Sequence, residues 1–147
     1  MFQSFDVIIG QRKGISMNKQ VTNWIKSSQY DLKTAEHMFK TGRYIYVLFM
    51  CHLSAEKLLK GLYEAALKKV APKTHNLIYL LNATGVELPD EHLETLESLN
   101  DLSIVTRYPE DIGAMVKAFK RKKVENYLQK TKELLKWLKK DKRLKIS

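Results

Sequence analysis

The sequence predicts an all-α fold, an antiparallel four-helix bundle with one additional short helix. Apolar residues recur at intervals of three and four along four long segments, which is the spacing of one face of an α-helix. No segment alternates apolar and polar residues between turn-forming residues, so we expect no sheet. Long helices with short connections bury their apolar faces best when they pack against one another antiparallel.

The first two helices are predicted from the strongest periodic patterns. The first runs from about Lys19 to Gly42, and the second runs from Tyr44 to about Lys69. The second segment is so rich in apolar residues that we expect it to be buried. Its one glycine, Gly61, weakens a helix interior, and the usual compensation is the close approach of a neighbouring helix.

Shorter signals define the middle of the chain. A short third helix is predicted over 75–82, with Thr74 as its N-terminal cap and Gly85 as its terminator. A fourth helix is predicted over 90–105, because acidic residues fill its first turn and suit the positive end of the helix dipole. We expect an irregular stretch over 107–120, followed by a basic fifth helix.

Length and composition indicate one domain in a reducing compartment. A chain of 147 residues can bury a single core without a disulfide or metal, and its single cysteine cannot form an internal bridge. We expect residues 1–16 to form an N-terminal arm, either a disordered segment or an extension from an upstream start, and residues 17–147 to form the bundle domain. No membrane-spanning run or signal peptide is evident, so we expect a cytoplasmic protein without membrane contact.

The net charge of +10 is carried entirely by the C-terminal segment 114–147, which holds 13 basic and three acidic residues. Two interpretations remain open. The lysines alternate with apolar residues at helical spacing, as on the solvated side of an amphipathic helix. Such a cluster can also bind a polyanion such as a phosphodiester backbone.

Generic catalytic patterns are absent from the sequence. The four histidines show no metal-site spacing, and there is no glycine-rich phosphate loop, C-x-x-C or G-x-S-x-G pattern. We therefore expect no bound metal and no cofactor. Cys51 falls within the apolar stripe of the second helix, where a buried structural role is more typical than a nucleophilic one.

Several polar residues lie directly beside apolar stripes, where they need partners. They are Asp31, Glu56, Lys57, Arg107 and Tyr108. An unpaired buried charge costs several kcal/mol. These residues therefore form either interhelical salt bridges or a polar site that recognises a phosphate or a base.

A set of motifs then resembles the small prokaryotic HEPN family. The similarity covers about residues 18–138 and rests on the order of Trp24, Asp31 and Ala35, Gly42-x-Tyr44, CHLSAEKLLKGL (51–62), PKTHNLIYLL (72–81) and TRYPE (106–110). The resemblance implies an antiparallel helical bundle, commonly a homodimer, often paired with a minimal nucleotidyltransferase in toxin–antitoxin systems. It also implies nucleotide or RNA binding, and in one branch metal-independent ribonuclease activity.

That ribonuclease branch has an arginine followed, after four to six residues, by a histidine. Arg107 matches the arginine, but positions 112–114 hold no histidine, and none follows His92. The arginine would steady a phosphate and the histidine would move the proton of a 2′-hydroxyl. Without that histidine we expect a binding module that lacks robust catalysis of its own.

The resemblance also implies roles for individual residues. Arg107 would hold a phosphate, Tyr108 would either stack on a base or simply pack, and Asp31 with Glu56 would orient the arginine. Independently of the resemblance, Lys57 and Lys60 lie one turn apart and would either add positive potential near a bound phosphate or merely solvate that edge of the helix. His75 would have the structural role of anchoring the start of the third helix. The alternatives are a ribonuclease that uses Arg107 with a displaced base, for which His52 and His75 are the candidates, and a purely structural dimerisation module.

Overall fold

The computed structural model describes residues 16–145, and within that range every regular element is helical. The elements are α1 (Met17–Lys40), α2 (Tyr44–Leu67), α3 (Leu77–Thr84), α4 (Asp90–Arg107), α5 (Ile112–Ala118), α6 (Arg121–Leu138) and a 3-10 turn (Lys142–Leu144). The predicted all-α class and bundle of four long helices are confirmed. Apart from Ser16, the predicted N-terminal arm lies outside the described residues.

Helices α1 and α2 form the most extensive contact of the bundle. Their short connection turns at Gly42, whose φ of 77° favours glycine. The expected close approach at Gly61 is confirmed, since a Cβ placed there would lie 3.0 Å from Cβ of Trp24. Helix α1 begins two residues earlier than predicted, because the Ser16 hydroxyl accepts a hydrogen bond from the Lys19 amide.

Helix α3 begins later than the sequence predicted. Asn76, and not Thr74, is the N-terminal cap, because its side-chain oxygen accepts hydrogen bonds from the amides of Ile78 and Tyr79. Thr74 instead accepts a hydrogen bond from the amide of Asn76. Threonine and asparagine are both good N-terminal caps, so the sequence alone did not show which of these two neighbouring residues would cap the helix. Gly85 ends the helix as predicted, with φ of 73°.

The stretch 107–120, which we predicted to be irregular, contains the short helix α5. Asp111 caps it by accepting a hydrogen bond from the amide of Ala114 at 3.0 Å. No residue of α5 is buried. Because the helix faces no core, its sequence carries no helical stripe that a periodicity search would detect.

Helix α2 lies at the centre and contacts α1, α3, α4 and α6. Most of its residues are buried, including Cys51. Burial raises the pKa of the Cys51 thiol to about 12, so the group is an unreactive part of the core. The predicted apolar stripe of α6 packs inward, through Val124, Leu128, Thr131, Leu134, Leu135 and Leu138. Most of the lysines of α6 are exposed to solvent.

Candidate functional site

A row of polar side chains runs along the buried face of α2. His52, Glu56, Lys60 and Glu64 follow one another at intervals of four residues and are all buried. Side chains four residues apart lie one above the other on a helix. Two carboxylates, an ammonium group and an imidazole therefore lie on the buried face of α2, among apolar side chains.

This row fastens the loop between α2 and α3. Oε2 of Glu64 accepts a hydrogen bond from the amide of Ala71 at 2.8 Å. Nε2 of His52 donates to the backbone carbonyl of His75 at 3.0 Å, and Nδ1 of His75 donates to Oε1 of Glu56 at 2.8 Å. The loop is thus held at both ends, and His75 is fixed while 58% of its side chain stays exposed.

Arg107 reaches the same place from the C-terminal end of α4. Its guanidinium carbon lies 4.9 Å from the ring centroid of Phe49 on α2, and its Nη2 atom lies 3.8 Å from Oε1 of Glu56. A cation is also favoured at this end of a helix by the helix dipole. Helix α4 ends here because Pro109 disfavours the helical conformation at the preceding residue.

The guanidinium of Arg107 has donors that the chain does not use. Its Nε and Nη2 atoms are buried, and neither has a hydrogen-bond partner in the described part of the chain. Leaving a buried donor unsatisfied costs about 1–3 kcal/mol, and more when the group is charged. A group so placed is a candidate for binding an oxyanion, because a guanidinium presents its N–H groups in a fork that matches two oxygens.

We call Glu56, Lys60, His75 and Arg107 the Glu56 cluster. The carboxylate of Glu56 is their common partner: Nζ of Lys60 lies 3.0 Å from Oε2, while His75 and Arg107 approach Oε1. His52 lies underneath, with Nδ1 3.8 Å from Oε1. Burial, aided by nearby Arg107 and His75, lowers the pKa of His52 to about 4, although Glu56 and the carbonyl of His75 raise it. His52 is therefore neutral at pH 7.

The other predicted site residues lie apart from this cluster. Asp31 on α1 and Lys57 on α2 form an ion pair with each other, with Nζ 2.7 Å from Oδ2. This pair joins two helices and does not orient Arg107. Tyr108 follows Arg107 in the chain, but it is 75% exposed. The structure thus brings together Glu56, Lys60, Arg107 and His75, and leaves Asp31, Lys57 and Tyr108 outside.

Sequence reasoning missed three contributors to this site: Phe49, Glu64 and His52 as the support of the His75 loop. For His52 and Glu64 a signal was available, because polar residues at four-residue spacing in an otherwise apolar helix must share one buried face. Phe49 gave no such signal, since a phenylalanine in an apolar helix is usually a core residue.

The site offers no obvious place for a metal. Among residues 16–145, no three His, Cys, Asp or Glu side chains are grouped so that they could hold a metal ion. Over the same range, no helix combines the length and apolar character that crossing a bilayer requires.

The fold and site define a helical bundle in which an arginine at a helix end meets a buried carboxylate of the central helix. The sequence profile of the HEPN domain matches residues 21–142, and the chain belongs to the HEPN domain family. A comparison with curated proteins gave no significant match.

Two solved structures share this fold. The protein TT1696 from Thermus thermophilus superposes with a TM-score of 0.71 and 24% identity, over 82% of this chain and 96% of that protein. ST0689, an archaeal HEPN homologue, gives a TM-score of 0.68 and 24% identity, over 86% of this chain and 98% of that one. At this level of identity the likeness shows the shared architecture.

The buried neutral His52 predicts a pH-dependent stability. An imidazole in the unfolded chain has a pKa of about 6.5, so the unfolded state takes up a proton first as the pH falls. The contribution of neutral His52 to the free energy of unfolding is fully present above about pH 6.5. It is lost as the pH falls from about 6.5 to about 4, and the total loss is about 3 kcal/mol. Urea unfolding of the wild type and of His52→Gln, measured from pH 4 to 7.5, checks this.

The variant should have a flatter stability profile over this window, because it has no imidazole to protonate. His37→Gln, at an exposed position of α1, is the matched control and should keep the wild-type slope. Parallel profiles for the wild type and His52→Gln would contradict the assignment.

Proposed function

We propose that this HEPN protein binds a phosphate group of a nucleotide or an RNA at the Glu56 cluster, without robust catalysis of its own. The observation that carries the proposal is the unused hydrogen-bonding capacity of Arg107, whose Nε and Nη2 atoms are buried without partners. The Arg107 side chain as a whole is 20% exposed, and once the guanidinium turns toward a ligand, a phosphate oxygen would satisfy these donors with charge-assisted hydrogen bonds. The net charge of +10 would steer an anionic ligand toward the protein.

A second candidate is metal-independent ribonuclease activity, which the geometry of His75 favours. Nδ1 of His75 donates to Glu56, so Nε2 is left as a proton acceptor on a half-exposed ring. In this reaction Nε2 takes the proton of a 2′-hydroxyl, the 2′-oxygen bonds to phosphorus, and the bond to the 5′-oxygen breaks. The leaving 5′-oxygen then receives a proton from the imidazolium. Arg107 would stabilise the charge that develops on the phosphate.

We also propose that the protein forms a homodimer. Exposed apolar residues lie on both sides of Arg107 in the chain: Ile104, Val105, Tyr108, Ile112 and Val116. We call these residues the α4–α5 face and propose that they form one patch, since exposed apolar patches are typical of protein interfaces. Helix α5 has seven residues and buries none of them, and so short a helix gains little stability by itself. A second copy that covers this face would supply the missing burial.

The resemblance also implies a minimal nucleotidyltransferase partner, in a toxin–antitoxin pair in the cytoplasm. We propose this partner on the family resemblance alone. Co-expression with a neighbouring reading frame that carries a G-S-x(n)-D-x-D pattern, followed by size-exclusion chromatography, tests it. Separate elution of the two proteins would remove this part of the proposal.

Arg107→Gln should weaken the binding of a short single-stranded RNA or a nucleotide by about 10- to 100-fold, the factor expected for the loss of a charge-assisted contact. Fluorescence anisotropy at low salt measures this. Arg121→Gln is the matched control, because Arg121 also stacks on a phenylalanine, 4.8 Å from the Phe39 ring, away from the Glu56 cluster.

Equal losses in the two variants would assign binding to the basic surface of α6 and would contradict a site at Arg107. If no RNA or nucleotide binds, and if Arg107→Gln and Lys57→Gln change only the melting temperature, the chain acts as a structural dimerisation module.

If the ribonuclease candidate is right, the purified protein cleaves single-stranded RNA in the presence of EDTA and leaves a 2′,3′-cyclic phosphate. His75→Gln should then slow cleavage by about 10²- to 10⁴-fold while RNA binding changes little. Mass spectrometry of the products gives the readout. His92→Gln, a histidine outside the cluster, is the control. Full activity in His75→Gln, or no cleavage by the wild type, would rule this candidate out.

Val116→Glu should convert a dimer to a monomer, because it places a charge within the proposed α4–α5 interface. Sedimentation equilibrium measures the mass. Tyr30→Glu, at an exposed aromatic residue on α1, should leave the dimer intact. A wild-type protein that is monomeric at high concentration would contradict this interface.

A further inference from the structure

The fixed charges of the Glu56 cluster limit how much negative charge a ligand can bring. Lys60 and Arg107 are positive, and Glu56, within 4 Å of both, is negative. Glu64 lies one turn beyond Lys60 and is also acidic. The pair of Lys57 with Asp31 is neutral as a unit. Apart from His75, which adds a positive charge only when it is protonated, the cluster therefore offers a ligand no more than one uncompensated positive charge.

Glu56 limits the negative charge of a ligand directly at Arg107, because its carboxylate lies beside the guanidinium. Its Oε1 atom lies 3.8 Å from Nη2 of Arg107, one of the two buried guanidinium atoms without a hydrogen bond. An oxygen of a bound phosphate would approach the same guanidinium and would come close to this carboxylate. The repulsion between them grows with the charge of the ligand.

A ligand of higher charge also loses more hydration. The attraction of an ion to one guanidinium rises in proportion to its charge, whereas the cost of removing its water rises with the square of the charge. A phosphodiester carries a single negative charge. A terminal phosphate carries about 1.5 to 2 negative charges at pH 7. A site with one uncompensated cation is therefore matched by the diester.

We propose that Glu56 restricts the Arg107 site to phosphodiester monoanions, so that its ligand is an internal phosphate of a nucleic acid strand and not the terminal phosphate of a free nucleotide. This inference rests on the proposed phosphate binding at Arg107. It assigns to Glu56 a role in specificity in addition to its role in holding the His75 loop.

The test compares two probes that differ in charge at the phosphate. Uridine 5′-monophosphate is a dianion at pH 8, and its methyl ester is a monoanion. Each competes with a fluorescent single-stranded RNA at constant ionic strength and with EDTA present. The wild type should bind the methyl ester about ten-fold more tightly than the monophosphate, a factor that corresponds to about 1.4 kcal/mol.

Variants then move the charge balance of the site by known steps. Glu56→Gln adds one positive charge and should abolish or reverse the preference for the ester. Adding Lys60→Gln in the double variant returns the balance to its starting value and should restore the preference. Glu36→Gln is the matched control, because it changes the net charge by the same amount at a carboxylate that pairs with Lys33 and with Lys132. This variant should leave the preference unchanged.

The outcomes separate this inference from the proposed function. If the wild type binds neither probe nor the RNA, the proposed phosphate site is absent. If it binds the monophosphate as tightly as the ester, or more tightly, phosphate binding stands and the role of Glu56 in specificity is wrong. Circular dichroism confirms that each variant is folded. If Glu56→Gln does not fold, Lys60→Gln replaces it and should increase the preference for the ester, and an unchanged or smaller preference would overturn the inference.

Discussion

A carboxylate that is buried in a helical bundle must be surrounded by donors, and Glu56 obtains them from three separate parts of the chain. Lys60 comes from the same helix, His75 from the loop before α3, and Arg107 from the end of α4. Removing the partners of a buried charge costs about 3–5 kcal/mol. The position of the loop and the end of α4 are therefore coupled to one side chain, and that coupling places the candidate site.

Two of the interhelical charge contacts in the described residues differ in how many cations share one carboxylate. Asp31 and Lys57 approach to 2.7 Å and neutralise each other one to one, as a contact between α1 and α2. Arg107 shares Glu56 with Lys60 and His75 and lies 3.8 Å from it. A carboxylate divided among three donors cannot satisfy all of the N–H groups of a guanidinium. A structural ion pair and a candidate anion site therefore differ in the number of basic groups that share one carboxylate. Only the three-dimensional contacts reveal this number.

Membership of the HEPN family gives the architecture, while the chemistry depends on this chain's own residues. The position downstream of Arg107 that holds a histidine in the ribonuclease branch is occupied here by the exposed helix α5. A half-exposed imidazole, that of His75, shares the carboxylate of Glu56 with Arg107 instead, and it precedes the arginine by 32 residues. A motif defined by spacing along the chain cannot detect such an arrangement, because the loop and α4 meet only after folding.

The sequence by itself determined the helices and their order. Apolar residues at intervals of three and four placed α1, α2, α4 and α6, and the need for a left-handed residue identified Gly42 and Gly85. Local chemistry was less decisive where two capping residues lay close together, as at Thr74 and Asn76, and where a helix faces no core, as in α5. A periodic apolar pattern arises where one face of a helix is buried, and no residue of α5 is buried.

Tertiary structure alone decided which polar residues meet. The four-residue spacing of Glu56 and Lys60 on one helix indicates that they meet. Nothing in the sequence indicated that Asp31 would pair with Lys57, or that His75 and Arg107 would also contact Glu56. The pairing depends on how the helices rotate and shift to fill the core. That packing is a property of all the apolar contacts together, so it cannot be obtained from any one segment of the sequence.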